Sequence, residues 1–372
     1  MIRQYFYSAK PKFSFTDSLL ECITELESRC KQRQVLGVVF FIDTRSDSEY
    51  FDKKRDIASK LDDATLKMPF NVQAQACNSE LSMEIWEDDS NSELTYLIMN
   101  GLRYTKVISS AGKSIWGIGV TSEMELLPLA DQVTYSFENV IQILEAEGMS
   151  LADIVRQWNY IPSILELREI DGATVQNYQE FNEIRQKYYS TAIFRDGYPS
   201  ATGIGTRNGN FNLDFFAIQS SPHIQKFGLS NPLQQDAYRY DQSYLIGDSP
   251  VGKPKKTPLF ERAKLLKTEN ETLIFISGTA AIVGQETVGI GDVRKQTEVT
   301  IDNMRLLIPS INEQSVQYSY LRAYIKEAKD FDAVRQICET KFPDVSISYL
   351  QADVCRDNLL VEIEGAAFAA PN

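Results

Sequence analysis

The 372-residue chain is poor in the residues on which many catalytic mechanisms depend. Its one histidine, His223, lies in the loop-like sequence Ser-Ser-Pro-His, so a histidine triad or zinc site would have to rely on that single residue. The five cysteines are widely spaced and form no CxxC pair, which indicates reduced thiols of a cytoplasmic protein. We therefore expect no metal, and we expect acid–base chemistry from carboxyl groups, with arginine, tyrosine and amide groups binding the substrate.

Long apolar runs, basic patches and nucleotide-binding loops are also absent from the sequence. No apolar run reaches the roughly 18–20 residues of a membrane span, and the N-terminus lacks the apolar core of a signal peptide. The net charge of −13 argues against a nucleic-acid-binding surface. Residues 203–205 and 289–291 (both Gly-Ile-Gly) are too short for a dinucleotide fingerprint, and there is no Walker loop. These absences predict a cytoplasmic protein without nucleic-acid or membrane partners.

What the chain does contain is an internal repeat. Three segments consist of two extended runs around a short polar break, and each ends in an acid between apolar residues; they are 69–87, 198–219 and 343–366. In the first and third segments a cysteine stands seven residues before the acid, with Cys77 before Glu84 and Cys355 before Glu362. Repetition at this period indicates repeated structural units.

The same order of elements precedes each of these segments. An amphipathic helix, recognised by apolar residues three and four apart, is followed by a β-branched strand and a second helix. The helices are predicted at 15–29, 49–61, 135–147, 178–189, 299–311 and 331–341, and the strands at 34–43, 153–162 and 316–325. Hairpins are predicted before the second and third copies, at 104–120 and 273–291, with turns at 111–113 and 284–286. The first copy lacks this hairpin.

This order predicts an α+β fold built of β-β-α-β-α-β-β units, twice complete and once truncated. In each unit two helices cover one face of a mixed sheet and leave the other face apolar. We therefore expect the units to pack with pseudo-threefold symmetry inside one monomeric chain; a chance alignment of short elements is the alternative. The predicted parts are a truncated first unit (1–92), a second unit (93–222), a connector loop (223–269) and a third unit that carries the catalytic acid (270–372).

The third copy offers the best candidate for a catalytic acid. Equivalent acids are expected at Glu84, Asp214 and Glu362, and only the last is followed by a second acid on the same strand face, Glu364. Apolar neighbours should partly desolvate Glu362 and raise its pKa, which suits a general acid near neutral pH. The alternative is a structural glutamate held by backbone amides or by Arg356.

Other candidate site residues lie before this acid. Cys355 neighbours Arg356, but a small buried core residue is favoured, because adjacent strand residues face opposite sides of a sheet. Gly203 on a predicted strand indicates close approach of a ligand or of backbone. Arg195 could grip a carboxylate or form a surface salt bridge. Small residues suited to the floor of a pocket end a predicted strand: Gly278, Thr279 and Ala280.

Six motifs occur in order within a stretch of the chain from about residue 95 to residue 367, the first of them at residue 198: YPSATGIGT, FNLDFFAIQ, NPLQQDAYRY, LFERA, SGTAAIVG and QADVCRDNLLVEIEGA. Each is weak alone, but together they resemble the chorismatase family. That family is similar to the YjgF/Rid superfamily of small trimeric α+β proteins with a chorismate mutase-like fold, whose sites lie between subunits. The first unit takes part only through the internal repeat.

The resemblance implies a cofactor-free reaction on chorismate that releases pyruvate. Glu362 matches the family's acid, which would protonate the enolpyruvyl methylene to give an oxocarbenium ion. In the family, a cysteine paired with this glutamate marks the branch that forms 3-hydroxybenzoate, so Cys355 favours that product over hydrolysis to 3,4-dihydroxycyclohexa-1,5-dienoate. The candidate ligands of the substrate carboxylates are Arg262 and Tyr238 first, then Arg195, Arg239 and Arg356.

Two other classes of protein stay open. A Rid-type imine deaminase usually holds an arginine on the strand before the terminal acid, where this chain offers Tyr349 or Gln351. A non-catalytic protein could bind a small molecule in the same groove.

Overall fold

A computed structural model describes residues 2–10, 14–77, 79–89, 92–125, 127–170, 172–248, 254–269, 271–308 and 316–369. The last part of the helix predicted at 299–311 lies outside these ranges. Within them, no helix is both long and apolar enough to cross a membrane.

The first unit is a four-stranded sheet whose helices pack on one face. Its strand order is β1-β4-β2-β3, and only β2 and β3 are parallel. The elements are β1 (Ile2–Ser8), α1 (Phe15–Gln32), β2 (Gln34–Ile42), α2 (Asp47–Asp63), β3 (Phe70–Gln73) and β4 (Leu81–Asp88). Ser14 and Ser46 cap the two helices by accepting backbone N–H groups. The predicted helices and central strand are confirmed, and β1 supplies one strand where no hairpin was predicted.

The second unit has a six-stranded sheet of order β11-β8-β12-β7-β6-β5. Its elements are β5 (Glu93–Met99), β6 (Leu102–Ser109), β7 (Gly112–Val120), α3 (Leu129–Ala146), β8 (Ile154–Pro162), β9 (Leu167–Ile170), β10 (Ala173–Gln176), α4 (Asn177–Tyr189), β11 (Ser200–Thr206) and β12 (Asn212–Ile218). The hairpin of β6 and β7 confirms the predicted one. The strand β5 and the small β9–β10 hairpin were not predicted.

The third unit also has a six-stranded sheet, of order β13-β14-β15-β20-β18-β19. Its elements are β13 (Gln225–Leu229), β14 (Ala263–Lys267), β15 (Thr272–Ala280), β16 (Ile282–Val283), β17 (Glu286–Thr287), α5 (Val293–Leu307), β18 (Val316–Ile325), α6 (Phe331–Lys341), β19 (Ser346–Gln351) and β20 (Val361–Ala369).

Two predictions for the third unit are wrong. The large hairpin at 273–291 does not form, because β15 pairs with β14, the strand that precedes it in the sequence. The strands β16 and β17 form only a short antiparallel pair of two residues each around Gly284. The segment 223–269 is not a loop throughout, since β13 and β14 lie in it and pair with each other. Between these two strands the chain makes only short 3₁₀ turns in its described part.

The three sheets share one core on the faces turned away from their helices. Trp86 of the first sheet stands 5.2 Å from Trp116 and 5.3 Å from Trp158 of the second, and 5.1 Å from Tyr320 of the third, measured between ring centroids. The helices bury their own faces in three separate clusters, one for each unit. The apolar sheet faces that the repeat predicts therefore cover one another.

Strand register corrects the predicted set of equivalent acids. Ser82, Asn212 and Glu362 each pair with an aromatic residue of the neighbouring central strand, namely Phe41, Tyr160 and Tyr324. Two residues further along these strands stand Glu84, Asp214 and Glu364, so the third equivalent acid is Glu364. The prediction is wrong because the segment from Cys355 to the equivalent acid, Glu364, is two residues longer than the segment from Cys77 to Glu84.

Candidate active site

A partly open cavity lies between the second and third units, and about 780 Å³ of space within it, including space open to solvent, is free of protein atoms. Helix α4 and strand β11 form one wall, and β15, β20 and the loop before β20 form the other. Its polar and charged lining consists of Gln176, Tyr178, Gln179, Arg185, Tyr240, Tyr244, Arg262, Cys355, Arg356 and Glu362. Among the described residues, no cluster of three or more histidine, cysteine or acidic side chains is arranged to hold a metal ion.

Most of the site residues predicted from the sequence line this cavity: Glu362, Cys355, Arg262, Gly203, Gly278, Ala280 and Arg356. Three do not. Thr279 is buried and its hydroxyl donates to the Ser277 carbonyl at 2.9 Å. Tyr238 donates to Asp236 at 3.1 Å and packs on Tyr198, whereas Arg195 is exposed on a loop. The further candidate Arg239 is exposed and lies near Asp236.

Glu362 is the buried acid of the cavity and is only 4% exposed. Burial, reinforced by the nearby charge of Glu364, raises its pKa to about 8, against the opposing effects of Arg156 and Arg262. No hydrogen bond or ion pair with another described residue holds its carboxyl group. The alternative of a structural glutamate held by Arg356 is wrong, because that guanidinium donates instead to the Gln285 carbonyl at 2.8 Å. Glu362 is therefore protonated at neutral pH and faces the cavity.

Two glycines make room for the side chains of the cavity. Gly278 lies at an irregularity in the pairing of β15 with β20, and its N–H donates to the Thr202 hydroxyl at 3.0 Å. Gly203 on β11 faces Tyr178, and a Cβ there would lie 2.9 Å from the ring. A larger residue at either position would displace a polar group of the cavity wall.

Cys355 lies in the loop before β20 and belongs to both the core and the cavity wall. It packs against apolar residues of two core clusters and also lines the cavity. Burial and the proximity of Glu362 raise the pKa of its thiol to about 12, although Arg356 opposes them. The thiol is therefore neutral at physiological pH, and a thiolate nucleophile is not what this environment favours.

Three arginines line the cavity without a carboxylate partner among the described residues. Arg262 is 4% exposed and donates to the Gln235 carbonyl and the Tyr240 hydroxyl, both at 2.7 Å. Arg185 is 2% exposed and donates to the Asn182 side chain at 2.6 Å, while its Nε has no partner. The third is Arg356. A buried cation without a counter-charge is costly, so the guanidinium groups of Arg262 and Arg185 indicate a binding site for an anion, with the partly buried Arg356 beside it.

The sequence reading missed Arg185. Its spacing on α4 from Phe181 and Tyr189 places it on the buried face of the helix, and that was the available signal. Burial lowers the pKa of this guanidinium, although neighbouring tyrosines oppose the shift.

A segment between β13 and β14 covers the cavity. It contributes the aromatic side chains of Tyr240, Tyr244 and Phe260, and the Arg356 guanidinium lies 5.3 Å and 5.9 Å from the first two rings. The Asp241 N–H donates to the Gln285 side chain at 2.7 Å, which fastens this segment to the third unit. The cover reduces the access of water, so charges inside act in a medium of low dielectric constant.

A protonated carboxyl group that faces arginines without carboxylate partners in a partly covered cavity is the arrangement of an enzyme that uses general-acid catalysis on a small anion. Residues 98–217 match the family model described as "Chorismatase FkbO/Hyg5-like, N-terminal". The chain is 33% identical over 258 residues to a chorismatase of Streptomyces hygroscopicus, which covers 66% of this chain and 70% of that protein. The chain belongs to the chorismatase family.

Two further comparisons extend over nearly the whole chain. A 3-hydroxybenzoate synthase of Streptomyces hygroscopicus is 29% identical over 348 residues, which is 90% of this chain and 91% of that protein. A crystal structure of a chorismatase superimposes with a TM-score of 0.71 and 23% identity, covering 98% of this chain and 99% of the other. This likeness confirms the fold.

Proposed function

We propose that this chain is a chorismatase that converts chorismate to pyruvate and 3-hydroxybenzoate. The observation that carries the proposal is the pairing of Glu362, with its pKa raised to about 8, and the neutral thiol of Cys355 in one cavity with unpaired arginines. The relative that aligns with 90% of the chain bears the name 3-hydroxybenzoate synthase.

The charges of the cavity fit the charges of the substrate. Chorismate carries one carboxylate on its ring and one on its enolpyruvyl group, and both need cationic partners when they leave water. Arg262 and Arg185 are buried cations, and neither has a carboxylate partner among the residues that the structure describes. We assign one substrate carboxylate to each, with Arg356 at the cover of the cavity as the third donor.

Glu362 then supplies the proton that starts the reaction. Transfer of its proton to the enolpyruvyl methylene forms the new C–H bond of a methyl group and leaves an oxocarbenium ion. The carboxylate left on Glu362 stabilises that cation electrostatically, in a site where little water competes. Cleavage of the ether bond then gives pyruvate.

The fate of the ring separates the two branches. For 3-hydroxybenzoate, the neighbouring ring hydroxyl oxygen displaces the ether oxygen internally and briefly bridges two ring carbons. Its original C–O bond then breaks, and loss of a ring proton restores aromaticity. All atoms of chorismate then end in the two products and no water is consumed. Hydrolysis to 3,4-dihydroxycyclohexa-1,5-dienoate would consume one water molecule. The covered cavity and the thiol of Cys355 in its wall favour the internal route.

The test is to mix purified protein with chorismate, to follow pyruvate with lactate dehydrogenase, and to identify the second product by chromatography. We expect pyruvate and 3-hydroxybenzoate in equal amounts. The diene acid instead would assign the hydrolase branch. A folded protein that releases no pyruvate would contradict the proposal and favour a Rid-type imine deaminase or a binding protein.

A further inference from the structure

A buried cluster of charges joins all three units at the shared core. Arg322 of β18 donates to both carboxylate oxygens of Glu84 on β4, with Nε at 3.1 Å from Oε1, and its Nη1 lies 3.0 Å from Glu364 Oε1 on β20. The side chains of Arg322, Glu84 and Glu364 are at most 1% exposed. Removal of one partner from such a buried group leaves an uncompensated charge, so these residues act as a unit.

The same cluster reaches the cavity through Thr202 of β11. Arg156 donates from Nη2 to Glu364 and to the Thr202 hydroxyl, both at 2.6 Å. The Thr202 hydroxyl also contacts Glu364 and accepts the N–H of Gly278. Because the Glu362 carboxyl group rests against Gly278, a continuous set of contacts runs from Glu84 to the acid of the cavity.

The cluster contains equal numbers of positively and negatively charged side chains. Two guanidinium groups, Arg156 and Arg322, face the two carboxylates Glu84 and Glu364. Asp214, the equivalent acid of the second unit, accepts hydrogen bonds from the Asn71 side chain at 2.8 Å and from the Gly119 N–H at 2.7 Å, and burial raises its pKa to about 7. Arg322 is shared between Glu84 and Glu364, so its positive charge only partly offsets the negative charge of Glu364. The negative charge of Glu364 therefore still acts on Glu362.

We propose that Glu84, which does not line the cavity, is a positioning residue for Glu362 and acts through Arg322, Glu364 and Thr202. This inference deepens the proposed function and rests on it for the role of Glu362. The first unit, none of whose described residues lines the cavity, thereby takes part in the chemistry of the site between the other two.

The effect is electrostatic and should appear in the titration of Glu362. The titratable and charged groups that act on its carboxyl group, or that share its wall of the cavity, are Glu364, Arg156, Arg262, Cys355, Arg356 and Tyr178. Without the charge of Glu84, Arg322 would neutralise Glu364 more completely, and ionisation of Glu362 would become easier.

The first test is Glu84→Gln, compared with Glu87→Gln as a matched control. Glu87 lies on the same strand and forms a partly buried ion pair with Arg29 at 2.6 Å, and among the described residues it makes no hydrogen bond or ion pair with the cluster. We expect Glu84→Gln to move the alkaline limb of the kcat–pH profile down by about one pH unit with little change in KM, because one charge near a buried acid has an effect of this order. Glu87→Gln should leave the profile where it is in the wild type.

A second readout does not depend on turnover. The infrared carbonyl band of protonated Glu362, identified by its loss in Glu362→Gln, can be titrated in the resting protein. The midpoint should fall by the same interval in Glu84→Gln. If wild-type protein releases no pyruvate, the proposed function fails, yet this titration still tests the link. A midpoint and a profile unchanged in folded Glu84→Gln would overturn the inference.

If Glu84→Gln does not fold, Thr202→Val tests the last step of the path. We expect kcat to fall about tenfold or more with KM nearly constant, since general-acid catalysis contributes at least that much. Thr202→Ser restores the hydroxyl group and should restore the rate. Full activity in folded Thr202→Val, or no recovery with serine, would overturn the inference.

Discussion

Gly278 lies so close to the carboxyl group of Glu362 that no side chain fits between them. A Cβ built on Gly278 would stand 2.8 Å from Glu362 Cδ and closer still to Oε1. The acid on β20 and the backbone of β15 therefore share a space that only glycine leaves open. The carboxyl group of Glu362 can occupy its position because Gly278 on the neighbouring strand has no Cβ atom.

This relationship predicts the effect of Gly278→Ala. The methyl group would push the carboxyl group of Glu362 away from its position, and a displacement of about 1 Å can lower kcat by about a hundredfold. Steady-state kinetics with chorismate would measure the loss. The control is Gly284→Ala, where a Cβ meets nothing within 4 Å; its positive φ of 60° should cost stability but not activity. Near-normal kcat in Gly278→Ala would contradict the tight fit.

Glu362→Gln should remove the proton donor and keep the shape of the site. We expect kcat to fall by roughly 10²- to 10⁴-fold, which is the usual contribution of a general acid, while chorismate still binds by calorimetry. In the wild type, kcat should decline as pH rises through about 8, because the acid then loses its proton. A variant that retains turnover would remove Glu362 from this role.

The same pKa predicts how stability depends on pH. The pKa of Glu362 is about 8 in the folded protein and is raised from 4.5, so its contribution to stability is full below about pH 4.5 and is lost as pH rises through 8. Between these limits, the free energy of unfolding of the wild type should fall by about 4 kcal/mol relative to that of Glu362→Gln. Urea titrations of both proteins across this range would measure the difference. If the free energies of unfolding of the two proteins depended on pH in the same way, folding would not raise the pKa of Glu362.

The unpaired arginines should control affinity for substrate. Arg185→Met and Arg262→Met each remove a charged hydrogen-bond donor, worth about 1.5–3 kcal/mol, so KM should rise by about ten- to a hundredfold. Both variants keep an apolar chain and should fold, since the wild-type charges lack a carboxylate partner. Arg195→Met, on the exposed loop, serves as the matched control and should behave as the wild type. Equal KM values in all three variants would refute the assignment of the substrate carboxylates.

Cys355→Ala should change the products more than the rate. The thiol is neutral and buried, so it acts by shaping the wall beside Glu362 and not as a nucleophile. Its loss opens space in which a water molecule could reach the oxocarbenium ion, and the diene acid should appear beside 3-hydroxybenzoate. Chromatography gives the ratio of the two aromatic and diene products. The control is Cys338→Ala, which lies in the core between the helices and the sheet of the third unit. An unchanged ratio would show that Cys355 does not select the branch.

Periodicity was enough to predict most elements of the fold. The apolar spacing of α1 to α6 and the β-branched runs of β2, β8 and β18 are local signals, and all of these elements are confirmed. Strands β13 and β14 carry lysine and glycine and are stabilised by pairing across a long segment, so a local reading assigned them to a loop. Register depended on a two-residue difference in loop length, which moved the equivalent acid from Glu362 to Glu364.

The candidate site was predictable where the signal was chemical. Glu362 was recognised by its apolar neighbours, Gly203 by the presence of glycine within a strand, and Gly278 by the small residues at the end of a strand. Arg185 was missed because an arginine on a helix is normally exposed to solvent. Thr279 was wrongly included because alternation along β15 turns it away from the cavity, although its two neighbours line it.

The ion pair between Glu84 and Arg322 has a consequence for the ancestry of the chain. The two partners of this buried ion pair lie more than two hundred residues apart in the sequence. Neither residue can be substituted alone, because a single substitution leaves an unpaired charge in the core. A chimera that joins the first unit of one chorismatase to the last two of another should therefore fold only when both parents carry the same pair. The buried pair therefore requires the units of the chain to evolve together.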